Sequence, residues 1–160
     1  ESGSERILKL MKKGEGKKRM RSAVKAAKDA GLLTTLFFML GNPGESESEI
    51  LQTFRFMKEL SPFMIQVAFF TPYPGSPFYE TEKPQIDFQR LSHYNDLALN
   101  VSRVSDERLA YWRSHFYRSH YLSASFALRY LRHRAVAALV NPAERALLLK
   151  SVKFVLEGKS

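Results

Sequence analysis

The sequence contains no cysteine. That excludes disulfides, cysteine nucleophiles, thiolate zinc sites and any iron–sulfur cluster held by these residues alone. Long apolar runs are also missing. None approaches the roughly 20 residues needed to cross a bilayer, and no secretory leader is visible. There is no low-complexity tract and no internal repeat beyond a βα unit. A cytoplasmic globular protein is expected from these absences.

What is present is a chain of 160 residues, 44% hydrophobic and 26% charged. That is enough for one domain with a real core. The first residue is Glu, and "ESGSER" begins without a disordered lead, so we expect a portion cut from something longer. The formal charge of +9 is unevenly spread. Residues 1–82 hold 12 Lys+Arg against 10 Asp+Glu, and residues 83–160 hold 13 against 6. The excess in the tail suits an anionic substrate, a lipid headgroup or nucleic acid, or else a basic solvated helix surface.

Ser2 and Glu5 have capping-box spacing before the apolar positions Ile7, Leu8 and Met11. The helix they predict ends near Gly14–Gly16. A second helix is expected from Lys17 to Ala30, with Met20, Val24 and Ala27 on one face and Gly31 as its stop. "LLTTLFFML" (Leu32–Leu40) reads as a strand buried on both faces. After the loop Gly41–Gly44, Ser46 and Glu49 form a second capping-box pair. Ile50, Phe54 and Met57 then mark a helix face running to Leu60. "FMIQVAFF" (Phe63–Phe70) is a second strand, "TPYPGSP" (Thr71–Pro77) a stiff loop, and "FYE" the start of a short helix.

The two strands begin about thirty residues apart, the repeat length of a (β/α) barrel. The expected fold class is therefore α/β: the C-terminal part of a partial TIM-type barrel over residues 1–82, with two parallel strands. An all-α extension follows over residues 83–160. In that tail 88–104 and 105–140 read as helical, with Ser105 as an N-cap and Leu109, Trp112 and Phe116 facing inward. A last helix is expected from Pro142 to Leu156, with Gly158 beyond it.

In a barrel the active site lies at the C-terminal ends of the strands. "ESGS" (Glu1–Ser4), "GNPGES" (Gly41–Ser46) and "TPYPGSP" fall there. Glycines allow close backbone approach to a ligand, and helix N-termini offer free N–H groups to polar or anionic atoms. Taken singly, each stretch is read as readily as helix capping or loop stiffening.

Taken together, "ESGSERILKLMKKG", "AVKAAKDAGLLTTLFFMLGNPGESESEILQTFRFMKEL" and "FTPYPGSPFYE" resemble the radical S-adenosylmethionine superfamily. The likeness is to the branch that often carries an N-terminal cobalamin-binding domain. It covers about the first 82 residues and continues loosely into "YWRSHFYRSHYL". The resemblance implies that Glu1 and Ser2 contact the ribose and methionine parts of S-adenosylmethionine. It places Met39 against the adenine, at the position of the family's isoleucine. Gly41 matches the second glycine of the fifth-strand motif, and Phe70, Thr71 and Pro72 line the adenine pocket largely through backbone.

Phe37 replaces that motif's first glycine. Glu45 falls one residue later than the strict pattern, so helix capping is equally open to it. The family's three-cysteine motif, which holds a [4Fe–4S] cluster, is absent and is expected upstream of residue 1.

The resemblance further implies reductive cleavage of S-adenosylmethionine, with methyl transfer, cyclisation or rearrangement to follow, in some members with cobalamin. It implies a small-molecule or lipid-like substrate and an electron donor such as flavodoxin or ferredoxin. Two rival readings stand beside it. One is a methylthiotransferase-like radical enzyme acting on tRNA or a ribosomal protein, for which a small β-barrel RNA-binding module is expected at the C-terminus. The other is a non-catalytic basic helical module for membrane or nucleic acid; peripheral membrane contact fits the tail better than nucleic acid does.

His93, His115, His120 and His133 are expected to be surface or packing residues; the five-residue spacing of His115 and His120 is poor for one helical metal site. Tyr111, Trp112, Phe116, Tyr117, Tyr121 and Tyr130 read first as packing. Arg129, Arg132 and Arg134 are the candidates for an anionic substrate or membrane surface.

Overall fold

The structure is a computed structural model, and it describes residues 1–12, 14–86, 97–143, 145 and 146. The elements in chain order are α1 (Glu5–Leu10), α2 (Lys17–Asp29), β1 (Thr35–Leu40), α3 (Glu47–Leu60), β2 (Met64–Phe69), α4 (Pro77–Glu82), α5 (Asp106–Tyr121) and α6 (Ala124–Val140). The expected alternation of helices and strands up to α4 is present. His93 lies outside the described residues, as do residue 144 and positions 147–160 of the expected last helix.

β1 and β2 pair in parallel, with Phe38 opposite Val67 and Leu40 opposite Phe69. Parallel neighbours need a crossover, and α3 supplies it. One face of the pair carries Phe38, Leu40, Ile65, Val67 and Phe69, all buried. Leu36, on the same face, packs with Met20 and Val24 of α2 and Phe56 and Leu60 of α3.

The opposite face is open: Phe37 is 59% exposed and Met64 48%. The expectation of a strand buried on both faces is thus corrected to one face. α2, α3 and α5 pack on the buried face, while Phe37 and Met64 of the other face stay exposed. Leu32 and Leu33, expected in the strand, are exposed ahead of it.

Both edges of the pair are met by other parts of the chain. The Met39 N–H donates to the Glu1 carbonyl at 3.0 Å, on the edge away from β2. On β2, the Val67 N–H donates to the Tyr117 hydroxyl at 3.0 Å. An edge strand with free N–H groups is a template for unwanted pairing, and Tyr117 covers one of them.

Local rules account for most helix ends. Gly31 takes φ +73° after α2, the left-handed stop that suits glycine. Ser76 caps α4 by accepting from the Tyr79 N–H, with Pro77 at its first position. Ser105 accepts from the Arg108 N–H at 3.4 Å at the start of α5. α1 differs from expectation: its N-cap is Ser4, which accepts from the Ile7 N–H, and not Ser2.

Two parts of the tail also differ. Residues 97–104 are not helical. Asn100 Nδ2 donates to the Val104 carbonyl and to Asp106, while Ser102 donates to Asn100 Oδ1. Such local side-chain bonds compete with helix formation. The stretch read as helical over 105–140 is two helices, separated at Leu122 and Ser123, with Ser123 capping α6.

Packing divides the chain into two compact units, Glu1–His120 and Tyr121–Ser160. The composition changes at Lys83, whereas the packing divides at Tyr121, because α5 shares the core of the first unit. Phe116 meets Phe38 with ring centroids 6.0 Å apart and Phe54 at 5.3 Å. Leu109, Trp112 and Phe116 are buried, as their spacing predicts.

Candidate functional site

Three chain segments converge at the C-terminal ends of the two strands. The first is residues 1–4. Gly3 lies so close to α3 that an added Cβ would meet the Gln52 carbonyl oxygen at 2.5 Å. Its N–H donates to Thr53 Oγ1 at 3.0 Å. The Thr53 hydroxyl donates to the Glu49 carbonyl, so Ser2 Oγ, 3.1 Å from Thr53 Oγ1, is the donor in that pair. Glycine and small hydroxyl residues stand here because nothing larger fits against the helix.

Glu49 ties this segment to the next. Its carboxylate accepts from Ser4 Oγ, from Arg6 Nε and Nη2, and from the Ser46 N–H. The bond from Arg6, followed by those from Ser46 and Ser4, holds its pKa down at about 2. The Ser46–Glu49 capping box read in the sequence is present and serves two jobs, starting α3 and anchoring α1.

The second segment is the loop after β1. Gly41 takes φ +79° and Gly44 φ +62°, which reverses the chain within four residues. Glu45 is fully buried. Its Oε2 accepts from the Asn42 N–H at 3.0 Å and from Asn42 Nδ2 at 3.2 Å. Glu45 therefore closes the turn on itself and does not cap α3, which settles the capping alternative against it. Its Oε1 and Asn42 Oδ1 are buried without hydrogen-bond partners. Burial pushes the Glu45 carboxyl up to about 7, against the opposing pull of the Asn42 bonds. Residues 101–103 brace the loop from outside: Gly44 N–H donates to the Val101 carbonyl, and Arg103 N–H to the Glu45 carbonyl.

The third segment follows β2. The Phe70 N–H donates to the Leu40 carbonyl at 2.8 Å and extends the ladder by one residue. Thr71 Oγ1 donates back to the Phe69 carbonyl at 3.3 Å. The Phe70 and Phe78 rings meet edge to face, 5.3 Å apart.

Between the end of α1 and the segments after the two strands is a cavity of about 390 Å³, within the range of small-ligand sites. Its walls are Leu10 and Met11 from the end of α1, Met39 of β1, Pro43, the stretch Phe70–Tyr73, and Phe78. Lys12 is the one charged side chain among its described lining residues. The structure thus brings Met39, Phe70, Thr71 and Pro72 of the sequence-predicted set to one cavity. Glu1 adjoins it through the bond from Met39. Ser2 is fully buried and turns its hydroxyl into α3. Gly41 supports the turn beside Leu109.

Such a cavity can bind and orient a flat, largely apolar ligand. The proton-transfer groups among its described walls are the phenol of Tyr73 and the exposed Lys12. Among the described residues no group of three or more His, Asp or Glu could hold a metal. His115 stacks on Tyr111 and meets the Phe54 ring at a tilt, and His120 is buried with Nε2 3.3 Å from the Phe63 carbonyl. Both have the packing roles expected of them. Thr53, Arg6 and the Asn42–Glu45 pair were not read from the sequence as parts of one site. The spacing from Ser2 to Thr53 carries no local signal.

An α/β unit with an apolar cavity at the C-terminal ends of parallel strands is the class that fold and geometry define. No protein-family model matches the chain. Curated relatives do. It is 39% identical over 80 residues to an uncharacterized methyltransferase of Pyrococcus horikoshii, covering 50% of this chain and 17% of that protein. It is 39% identical over 70 residues to a putative methylthiotransferase of Methanocaldococcus jannaschii, covering 42% and 16%. It is 32% identical over 79 residues to the tRNA-2-methylthio-N(6)-dimethylallyladenosine synthase of Neisseria meningitidis, covering 48% and 18%. The matched stretch spans about a sixth of the length of these relatives.

Proposed function

We propose that this chain forms part of the S-adenosylmethionine pocket of a radical enzyme, with the adenine in the cavity at the ends of β1 and β2. The observation that carries the reading is the meeting of Met39, Phe70, Thr71 and Pro72, drawn from two strands, around one cavity. Their types suit an adenine ring: apolar faces above and below, with backbone polar groups at the edge. The names of the curated relatives, methyltransferase and methylthiotransferase, support the same class of chemistry.

Within this reading Glu1 adjoins the adenine wall through its backbone, and its side chain suits ribose hydroxyls. Ser2 contributes backbone only, since its hydroxyl is committed to Thr53. Pro43 and Phe78 exclude water from the ring. The chain provides no thiolate, so its residues do not fit a [4Fe–4S] cluster, and cysteines beyond this sequence would hold one. Held by residues other than these, such a centre would supply the electron for reductive cleavage of S-adenosylmethionine. The residues here bind and orient.

Among methyl transfer, cyclisation and rearrangement, the name of one relative favours methyl transfer. The methylthiotransferase reading draws on the names of two relatives. The described part of the tail consists of the helices α5 and α6.

Equilibrium dialysis of the chain against labelled S-adenosylmethionine tests the proposal. Saturable binding is expected, competed by adenosine and weakened about tenfold or more by Phe70→Ala, in line with loss of one base–aromatic contact. Absence of binding, or binding unchanged in Phe70→Ala and Met39→Lys, overturns it.

A further inference from the structure

The second unit carries a surface that the cofactor pocket does not use. α6 is 17 residues long, and Leu128, Leu131, Ala135 and Leu139 fall on one stripe of it at i, i+3, i+7 and i+11. In most surface helices such a stripe is the buried one. Here it is open: Leu128 is 71% exposed, Leu131 59% and Leu139 76%. Val136 and Val140 beside it are exposed too.

The charge around the stripe has one sign. From Ala124 to Val140 there is no Asp or Glu, while there are three arginines and no lysine. Arg132 lies at the margin of the stripe and Arg129 just beyond it on the helical wheel. We propose that α6 lies on an anionic lipid surface, with its leucine stripe in the headgroup–acyl boundary and its arginines on lipid phosphates.

The observations favour this occupant over others. Exposed leucines gain nothing from a phosphate backbone, so a nucleic acid leaves the stripe in water. A second copy of this chain would set arginine against arginine. At 17 residues with three arginines, the helix is short and charged for a span of roughly 20 apolar residues, and no described helix is long and apolar enough to cross a membrane. Lying in the interface plane satisfies both the stripe and the charge. Arginine also suits the site better than lysine, because its planar fork binds phosphate oxygens in pairs.

Vesicle co-sedimentation of the full chain tests this. Vesicles of phosphatidylcholine with about a third phosphatidylserine should be bound at least about tenfold more tightly than phosphatidylcholine alone, at about fivefold per arginine at the surface. Arg129→Gln with Arg132→Gln should remove most of that difference. Leu128→Ser, Leu131→Ser and Leu139→Ser together should abolish binding to both vesicles, with helix content unchanged by circular dichroism because these side chains are exposed. Three results overturn the proposal. One is no binding to the anionic vesicles. Another is equal binding to tRNA that survives the leucine changes. The third is a dimer that the leucine changes convert to monomer without any lipid binding.

Discussion

Arg6 meets Glu49 with two nitrogens, Nε at 2.7 Å from Oε1 and Nη2 at 2.7 Å from Oε2. The pair joins the first helix to the first turn of α3, across 43 residues of sequence. Glu49 is buried, and it accepts from Ser4 and Ser46 as well.

The Glu49 carboxyl has its pKa lowered from 4.5 to about 2, chiefly by Arg6. Its stabilising effect is full above pH 4.5 and is lost as pH falls towards 2. Glu49→Gln should cost about 2 kcal/mol at neutral pH, the scale of charged hydrogen bonds lost from a part-exposed partner. Urea unfolding at pH 7, 4.5 and 3 checks this: the variant should be less acid-sensitive than the parent, and an equal acid response in both contradicts the assignment.

Glu45 works in the opposite direction. Burial raises its carboxyl from 4.5 to about 7, so the folded chain holds the proton more tightly than the unfolded chain does. Stability is full below pH 4.5 and falls as pH rises to 7, by about 3 kcal/mol if the whole shift is expressed. Glu45→Gln keeps an acceptor for the Asn42 N–H and removes the ionisation. It should be the more stable protein at pH 8 and lose the slope between pH 4.5 and 7. A parent chain whose stability is flat over that window contradicts a buried, proton-holding Glu45.

Gly3 has no room for a side chain. Three backbone atoms of Gln52 and Thr53 stand within 2.7 Å of a built Cβ. Gly3→Ala should cost about 1–3 kcal/mol, the range for overpacking, and should shift residues 1–4 away from α3. Thr53→Val removes the hydroxyl's bonds to Ser2, Gly3 and the Glu49 carbonyl, leaves the buried Gly3 N–H unpaired and should also cost about 1–3 kcal/mol. Equal stability of Gly3→Ala and the parent shows that the contact is looser than described.

Tyr117 covers the Val67 N–H with its hydroxyl. Tyr117→Phe should cost about 1 kcal/mol, the usual worth of one such bond. Hydrogen exchange localises the effect: the Val67 amide should lose protection while the Leu40 and Phe70 region keeps it. Unchanged protection at Val67 means that another group satisfies this edge.

Much of the fold was legible because its signals are local. The glycine after α2, the Ser46–Glu49 box, Pro77 after Ser76, and the apolar runs of the two strands each act within a few residues. Four of the seven predicted site residues share one cavity for the same reason: they end consecutive parallel strands, and parallel strands place their C-terminal ends together. Ser2 shows the limit. Its spacing to Glu5 matched a capping box, but Thr53 and Gly3 pull the segment onto α3 and leave the cap to Ser4.

By itself the sequence determined the order of helices and strands up to α4, the apolar faces of α3 and α5, and that no thiolate chemistry resides in this chain. Those properties follow from backbone conformational preference, hydrophobic periodicity and residue type, all readable over a few positions. Tertiary structure alone decided that Phe116 packs on Phe38, that α5 belongs to the first unit, that Glu45 is buried, and that one sheet face stays open. Each depends on residues dozens of positions apart meeting in space, where burial and donor geometry set the outcome, and no short stretch of sequence encodes that meeting.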